Sequence, residues 1–234
     1  GRTRPYRELR LVETAMPLPD RRAYLGDVVA ALKAHWPQNR AVNILCHGHS
    51  VPAGYFATPV VDAFNAYPHL LFAALKHRFP YAVVNVIVTA IGGENSAGGA
   101  ARFQKEVLPH RPDVVTLDYA LNDRQQGLDA AGRAWRAMIE AALARNVKVI
   151  LLTPTADRTQ RPDAPEEERR PLREHAEQVR ALAAEYGIGL ADSLAAFDAH
   201  QRTGDLTDLL SWTNHPNRAG HDLVVRELMR WFSY

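Results

Sequence analysis

The sequence predicts an α/β fold built on a parallel five-stranded sheet, and two observations carry that expectation. Five short apolar runs, several rich in β-branched residues, alternate along the chain with longer stretches whose apolar residues recur at helical spacing. Three of those runs also end in serine, paired glycines or Asn-Asp. Such residues belong at the carboxyl edge of an open parallel sheet, where ligands bind near the reversal of strand order.

Taken in order, Asp20 to Trp36 has helical periodicity with Asp20 as its cap. Residues 1–40 are read as an N-terminal helical extension packed on the core, and 1–234 as one domain. Strands are expected at 42–46, 82–88, 113–119, 147–152 and 188–191. Helices are expected from Asp62 to Phe79, Leu128 to Arg145, Glu166 to Tyr186 and Asn217 to Phe232. The stretch from Thr153 to Pro165, rich in Pro, Thr and Asp, reads equally as a wall of a substrate site and as a flexible surface loop.

The first strand runs into Asn43-Ile-Leu-Cys-His-Gly-His-Ser50, which places Ser50 on a turn where α/β enzymes hold nucleophiles. A plain turn or helix cap explains the same residues. After the second strand, Gly92-Gly93 permits close approach of backbone N–H groups to a ligand, or simply a loop with positive φ. The third strand ends in Asn122-Asp123, which is also good turn chemistry. His215 stands in Trp212-Thr-Asn-His-Pro-Asn217, a loop before the last amphipathic helix, and reads otherwise as an exposed surface residue.

In this chain order, and over nearly the whole sequence, Gly48-His-Ser50, Gly92-Gly93, Ala120-Leu-Asn-Asp123 and Asn214-His-Pro-Asn217 resemble the four blocks of the SGNH hydrolase superfamily, the GDSL-like esterases. The resemblance implies a flavodoxin-like three-layer α/β/α sandwich and a serine esterase working through an acyl-enzyme. It further implies Ser50 as nucleophile, His215 as general base, and the Ser50 amide, the Gly93 amide and the Asn122 side chain as oxyanion hole, with Gly92 as the alternative glycine. Three positions depart from the usual pattern: His49 stands for aspartate, Ala120 for glycine, and Trp212 for the aspartate three residues before the histidine. The imidazole is then oriented either by Asp208 or Asp205 from upstream, or by a backbone carbonyl, and the carbonyl is the preferred expectation. The implied substrate is a small-molecule or saccharide ester with a short acyl group such as acetyl, and no cofactor. A lipase or acyltransferase of the same superfamily, or a non-catalytic carbohydrate-binding relative, is the alternative.

A metallohydrolase assembled from His47, His49, His215 and Asp123 is the competing chemistry, but the turn between His47 and His49 fits metal ligation loosely, and no metal is expected. Composition agrees with a compact enzyme: of 234 residues 47% are hydrophobic, and the formal net charge is only +2. The arginines scatter over helical faces, so nucleic acid is not an expected partner. Arg169, Arg170 and Arg173 follow Glu166-Glu-Glu168 and read as an ion-paired, solvated helix face. No apolar run reaches membrane-spanning length. Cys46 is the one cysteine, which excludes an internal disulfide, and its place in the first strand makes it a small core residue. No secretory leader is read in a chain that begins at Gly1, and localisation and oligomeric state stay open.

Overall fold

The computed structural model describes residues 17–233; the start of the predicted extension, 1–16, lies outside the described residues. Asp20 accepts from the Arg22 N–H and caps α1 (Arg21–Tyr24), and α2 (Gly26–Lys33) then buries Val28, Val29 and Leu32. The chain continues through β1 (Ala41–Gly48), the single turn α3 (Ser50–Ala53), α4 (Tyr67–Arg78) and β2 (Val83–Val88). Helix α5 (Ser96–Arg102) runs on as a π turn over Phe103–Val107 before β3 (Val114–Asp118). Then come α6 (Ala120–Asp123), α7 (Leu128–Leu143), β4 (Lys148–Leu152), α8 (Glu166–Tyr186), β5 (Gly189–Ala191), α9 (Ser193–Gln201) and α10 (Arg218–Met229).

All five strands pair in parallel in the order β2-β1-β3-β4-β5. The chain therefore winds outward from β1 in one direction, then crosses back to build the other half of the sheet. Alternation along the strands divides the core into two layers. Val42, Ile44 and Cys46 of β1 face apolar residues of α2, α4, α9 and α10, whereas Leu45 of β1 and Leu117 of β3 face Phe103, α7 and α8. This is the expected three-layer α/β/α sandwich, and the reversal of strand order falls between β1 and β3, the strands that lead to Ser50 and Asn122.

The expected helix from Asp62 to Phe79 is divided. Asp62 caps a 3₁₀ turn, Ala63–Asn65, and Ala66 is extended before α4 begins. Pro68 in the first turn of α4 has no N–H to give, and the Tyr67 N–H goes to His221 Nδ1 at 3.1 Å, so the helix starts anew there. On α8, Arg170 pairs with Glu174 at 3.7 Å and Arg173 grips Asp198 with both terminal nitrogens, rather than either pairing with Glu166-Glu-Glu168. Among the described residues no helix is long and apolar enough to cross a membrane.

Candidate active site

The approach to Ser50 is set by a missing side chain. A Cβ on Gly48 would stand 2.5 Å from the Asp118 carbonyl oxygen and 2.8 Å from Pro52, so only glycine lets β1 pass between β3 and α3. His49 then caps α3, its Nδ1 accepting the Val51 N–H at 3.2 Å. With the Nδ1 lone pair so used, the proton is on Nε2, which lies 3.4 Å from Asp118 Oδ1 in a fully buried setting. His49 thus lies beside a buried carboxylate at the position where the superfamily usually has aspartate. Ser50 opens the turn, with 7% of its surface exposed.

After α3 the chain reverses at Gly54, whose φ is +93°, and Tyr55 bridges to Val61. That reversal aims the Phe56 carbonyl at His215, and its oxygen lies 2.7 Å from His215 Nδ1. On the other side of the ring Nε2 is 3.0 Å from Ser50 Oγ. A carbonyl oxygen only accepts, so Nδ1 carries the proton and Nε2 presents its lone pair to the serine hydroxyl. The histidine loop is itself closed by an antiparallel bridge between Leu210 and Pro216, and both the Ser211 N–H (3.0 Å) and hydroxyl (3.2 Å) donate to the His215 carbonyl. Burial holds the His215 pKa below its ordinary value against the raising effect of the Phe56 carbonyl. The imidazole is accordingly neutral near pH 7.

Neither upstream aspartate reaches this ring. Asp208 accepts the Asp205 N–H at 3.1 Å and lies 3.2 Å from His200 Nε2, while Asp205 accepts the Thr207 N–H and hydroxyl at 2.8 and 2.7 Å. Both are spent on the 3₁₀ turn Leu206–Leu209, whose capping box they form. Trp212 is turned outward, with 58% of its surface exposed. The Phe56 carbonyl was not nameable from the sequence, because every residue carries a carbonyl and nothing in Tyr55-Phe56-Ala57 marks one of them.

The loop after β2 runs beside the end of β1, where the Ile91 N–H donates to the Gly48 carbonyl at 3.0 Å. A Cβ on Gly92 would be 2.8 Å from the Tyr55 ring, whereas Gly93 adopts φ +79° beside open space. The two glycines therefore have different reasons to be glycine: Gly92 for packing, Gly93 for backbone conformation. Asn122, on α6, donates one amide N–H to the Glu94 carbonyl at 2.9 Å and has a second to give. Ala120 is buried in α6 without positive φ, so alanine is tolerated there. Asp123 points into the core and accepts from the Ser96 N–H, Gln126 Nε2 and Trp135 Nε1 at 2.7–2.8 Å, which makes it a structural carboxylate.

One guanidinium fastens both ends of this loop. Arg102 donates to the Thr89 carbonyl (2.5 Å) and to both oxygens of Glu94, and the Tyr119 hydroxyl adds a further bond to Glu94 at 2.9 Å. Glu94 in turn orients Asn122 through its carbonyl. These second contacts escaped the sequence reading; Arg102, in a glycine-rich stretch, looks like any surface arginine.

His47 is not part of the site. Its ring lies in the opposite layer against Phe103 and Tyr119, with Nδ1 2.9 Å from Thr89 Oγ1 and Nε2 3.2 Å from the Gly99 carbonyl, and burial pulls its pKa down to about 4. Among the described residues no group of three His, Cys, Asp or Glu side chains is placed to hold a metal ion. Cys46 is buried, and burial pushes its thiol up to about 12, so it is no thiolate nucleophile. The start of the Thr153 to Pro165 stretch is buried and anchored rather than a free surface loop: Asp157 holds Arg124 at 2.8 Å and the Arg158 N–H donates to the Thr213 carbonyl at 2.9 Å, beside the histidine loop.

The sequence model of the GDSL-like lipase/acylhydrolase family matches residues 46–223, from the end of β1 into α10. The chain belongs to that family. Membership places it among ester hydrolases, and Ser50, Gly93, Asn122 and His215 all lie within the matched residues. No curated protein matches the chain. Among solved structures, the acetylxylan esterase Axe2 of Geobacillus stearothermophilus superposes with a TM-score of 0.70 at 22% identity, covering 82% of this chain and 94% of that one. Variants of Axe2 are described as catalytic mutants. An α/β hydrolase enzyme, LAE5, from the metagenome of Lake Arreo, Spain, superposes with a TM-score of 0.66 at 24% identity, covering 82% of this chain and 94% of that one. At these identities the likeness is one of fold.

Proposed function

We propose that this family member is a serine esterase that removes short acyl groups, acetyl on a saccharide foremost, through an acyl-enzyme. The observation that carries the reading is the alignment Ser50 Oγ, His215 Nε2, His215 Nδ1, Phe56 carbonyl, at 3.0 and 2.7 Å. Ser50 Oγ attacks the ester carbonyl carbon while His215 Nε2 takes its proton. The developing oxyanion accepts from the Ser50 and Gly93 N–H groups and from the second N–H of Asn122. Collapse breaks the ester C–O bond, and the proton on Nε2 passes to the departing alkoxide. Water then adds to the acyl-enzyme with His215 again as base, releasing the acid and regenerating Ser50.

A triad aspartate orients the imidazole and stabilises the imidazolium. Here the Phe56 carbonyl performs the orienting part, because it accepts from Nδ1–H in both the neutral and the charged ring. The stabilising part is weaker, since a carbonyl dipole replaces a full negative charge.

One feature favours a second reading, longer acyl groups. Beside α3 lies an apolar cleft of about 520 Å³ lined by Pro52, Ala53, Phe64, Phe72, Val86 and Val88, with Pro52 and Ala53 on the same turn as Ser50. Hydrolysis of p-nitrophenyl esters from acetate to octanoate separates the two. The proposal expects kcat/KM to fall with chain length, and a steady rise would assign the acyl chain to that cleft. Labelling by an organophosphate tests the serine itself: an adduct at Ser50 supports an active nucleophile, and a folded protein that resists labelling would be the non-catalytic carbohydrate-binding relative. Formation of new esters from added alcohols would point to an acyltransferase.

A further inference from the structure

Trp212 is a large apolar side chain left mostly in water, on the loop that ends at His215. Together with Leu206, Leu210, Arg158 and Arg161 it lines a cleft of about 330 Å³. The segments carrying Arg158 and Trp212 are fastened together, because the Arg158 N–H donates to the carbonyl of Thr213, the residue after Trp212. Both guanidiniums are solvent-exposed. Arg161 meets only the exposed Asp163, at 3.5 Å, and Arg158 has no ion pair among the described residues. The neighbouring Asp205 does not neutralise them by contact, since its carboxylate is turned onto Thr207.

An exposed indole that shares a cleft with two exposed guanidiniums, one of them held only by a surface pair with Asp163, has a definite ligand chemistry. The indole offers a flat apolar surface suited to the C–H-rich face of a sugar ring, while the ring's hydroxyls stay in water. Guanidinium forks match a carboxylate in both charge and geometry. We propose that this cleft is a saccharide subsite for an acidic sugar, a uronic acid unit of the chain that carries the ester, with its ring on Trp212 and its carboxylate on Arg158 and Arg161. The proposal deepens the esterase reading and rests on it for the presence of an ester on the same saccharide. It assigns to Trp212 a use in substrate choice, at a position where the superfamily has a residue of the catalytic machinery.

Binding is measured by calorimetry at low salt with the Ser50→Ala protein, titrated with xylotetraose or with xylotriose bearing a glucuronic acid branch. The acidic sugar should bind about tenfold or more tightly than the neutral one, the ratio that one net charge-assisted pair supplies. Combining Arg158→Ala with Arg161→Ala should abolish that ratio while leaving neutral-sugar binding in place. Trp212→Leu, which keeps apolar bulk but not the ring, should weaken both sugars. Equal affinity for the two sugars, no measurable binding of the acidic one at millimolar concentration, or a preference that survives loss of both arginines would overturn the proposal. The same substitutions in the Ser50-intact chain should leave p-nitrophenyl acetate hydrolysis within a few-fold of the parent, since so small an ester does not reach the cleft. If the parent hydrolyses no ester, the esterase reading fails, while calorimetry still decides the subsite.

Discussion

Replacing Asp208 by asparagine asks whether a carboxylate or a carbonyl orients His215. When a triad aspartate is changed to its amide, the shape survives but the imidazole is driven to the wrong tautomer, at a cost of roughly 10⁴ in kcat. Here Asp208 touches the Asp205 N–H and His200 and no atom of His215. Asparagine still accepts the Asp205 N–H through its amide oxygen. What is lost is a half-exposed contact with His200, worth a few tenths of a kcal/mol after solvent screening. The Phe56 carbonyl continues to hold Nδ1–H, so kcat on p-nitrophenyl acetate should change by no more than a few-fold. The melting temperature should fall by about 2 °C at most. Asp205→Asn should behave alike, because its carboxylate serves only the turn at Thr207. Steady-state kinetics on the parent and both variants decides the matter. A drop of roughly three orders of magnitude in either would refute the reasoning, since no carboxylate removed from this distance could act through the ring.

Three further outcomes are expected. Asn122→Ala should lower kcat by on the order of a hundredfold with little change in KM, because in the proposed mechanism its second amide N–H serves charge that exists only in the transition state; a rise in KM alone would make Asn122 a substrate contact. The acid limb of kcat/KM should lie below pH 6.5, since His215 must be unprotonated to accept the serine proton and burial lowers its pKa, so activity is retained as pH falls past 6.5 and lost lower down; a limb above pH 7 would contradict this. Folding must be followed by circular dichroism in the same buffers: His47 and His221 are held neutral with pKa values down to about 4 and about 3, and their stability contribution, full above pH 6.5, drains away below it as the unfolded chain takes up protons. Arg102→Lys keeps the charge but cannot reach Thr89 and Glu94 together, so it should lower kcat more than it raises KM by loosening the Gly93 loop and Asn122, and a normal kcat in the folded variant would reduce Arg102 to a packing role.

The sheet was legible because its strands are continuous apolar runs, and their ends fall within one or two residues of expectation. Helix α8 was legible over its whole length from Glu166 to Tyr186, with acidic residues at its start and Gly187 closing it. By contrast, α5 begins Ser-Ala-Gly-Gly, a loop by propensity, yet Gly99 is fixed by packing: a Cβ there would lie 2.3 Å from the Tyr119 ring. Helix α9 was missed because its apolar residues lack clear helical spacing, although Asp192 caps it on Ala195. At the site, side chains in short motifs could be picked out, whereas the partner of His215 is a backbone atom placed by the reversal at Gly54 and Tyr55. Arg102 likewise acts through a carbonyl and a distant glutamate, a relation that exists only once β2, α5 and β3 are assembled.

The central claim is that Ser50 and His215 form one proton-transfer unit without a carboxylate, and a double-mutant cycle tests it most directly. Activity on p-nitrophenyl acetate is measured for Ser50→Ala, His215→Ala and the combination, each checked for folding by circular dichroism. Each single substitution should remove nearly all turnover, and the pair should cost no more than either alone, because neither residue acts without the other. Substantial turnover in folded Ser50→Ala, or losses that multiply in the double variant, would contradict it.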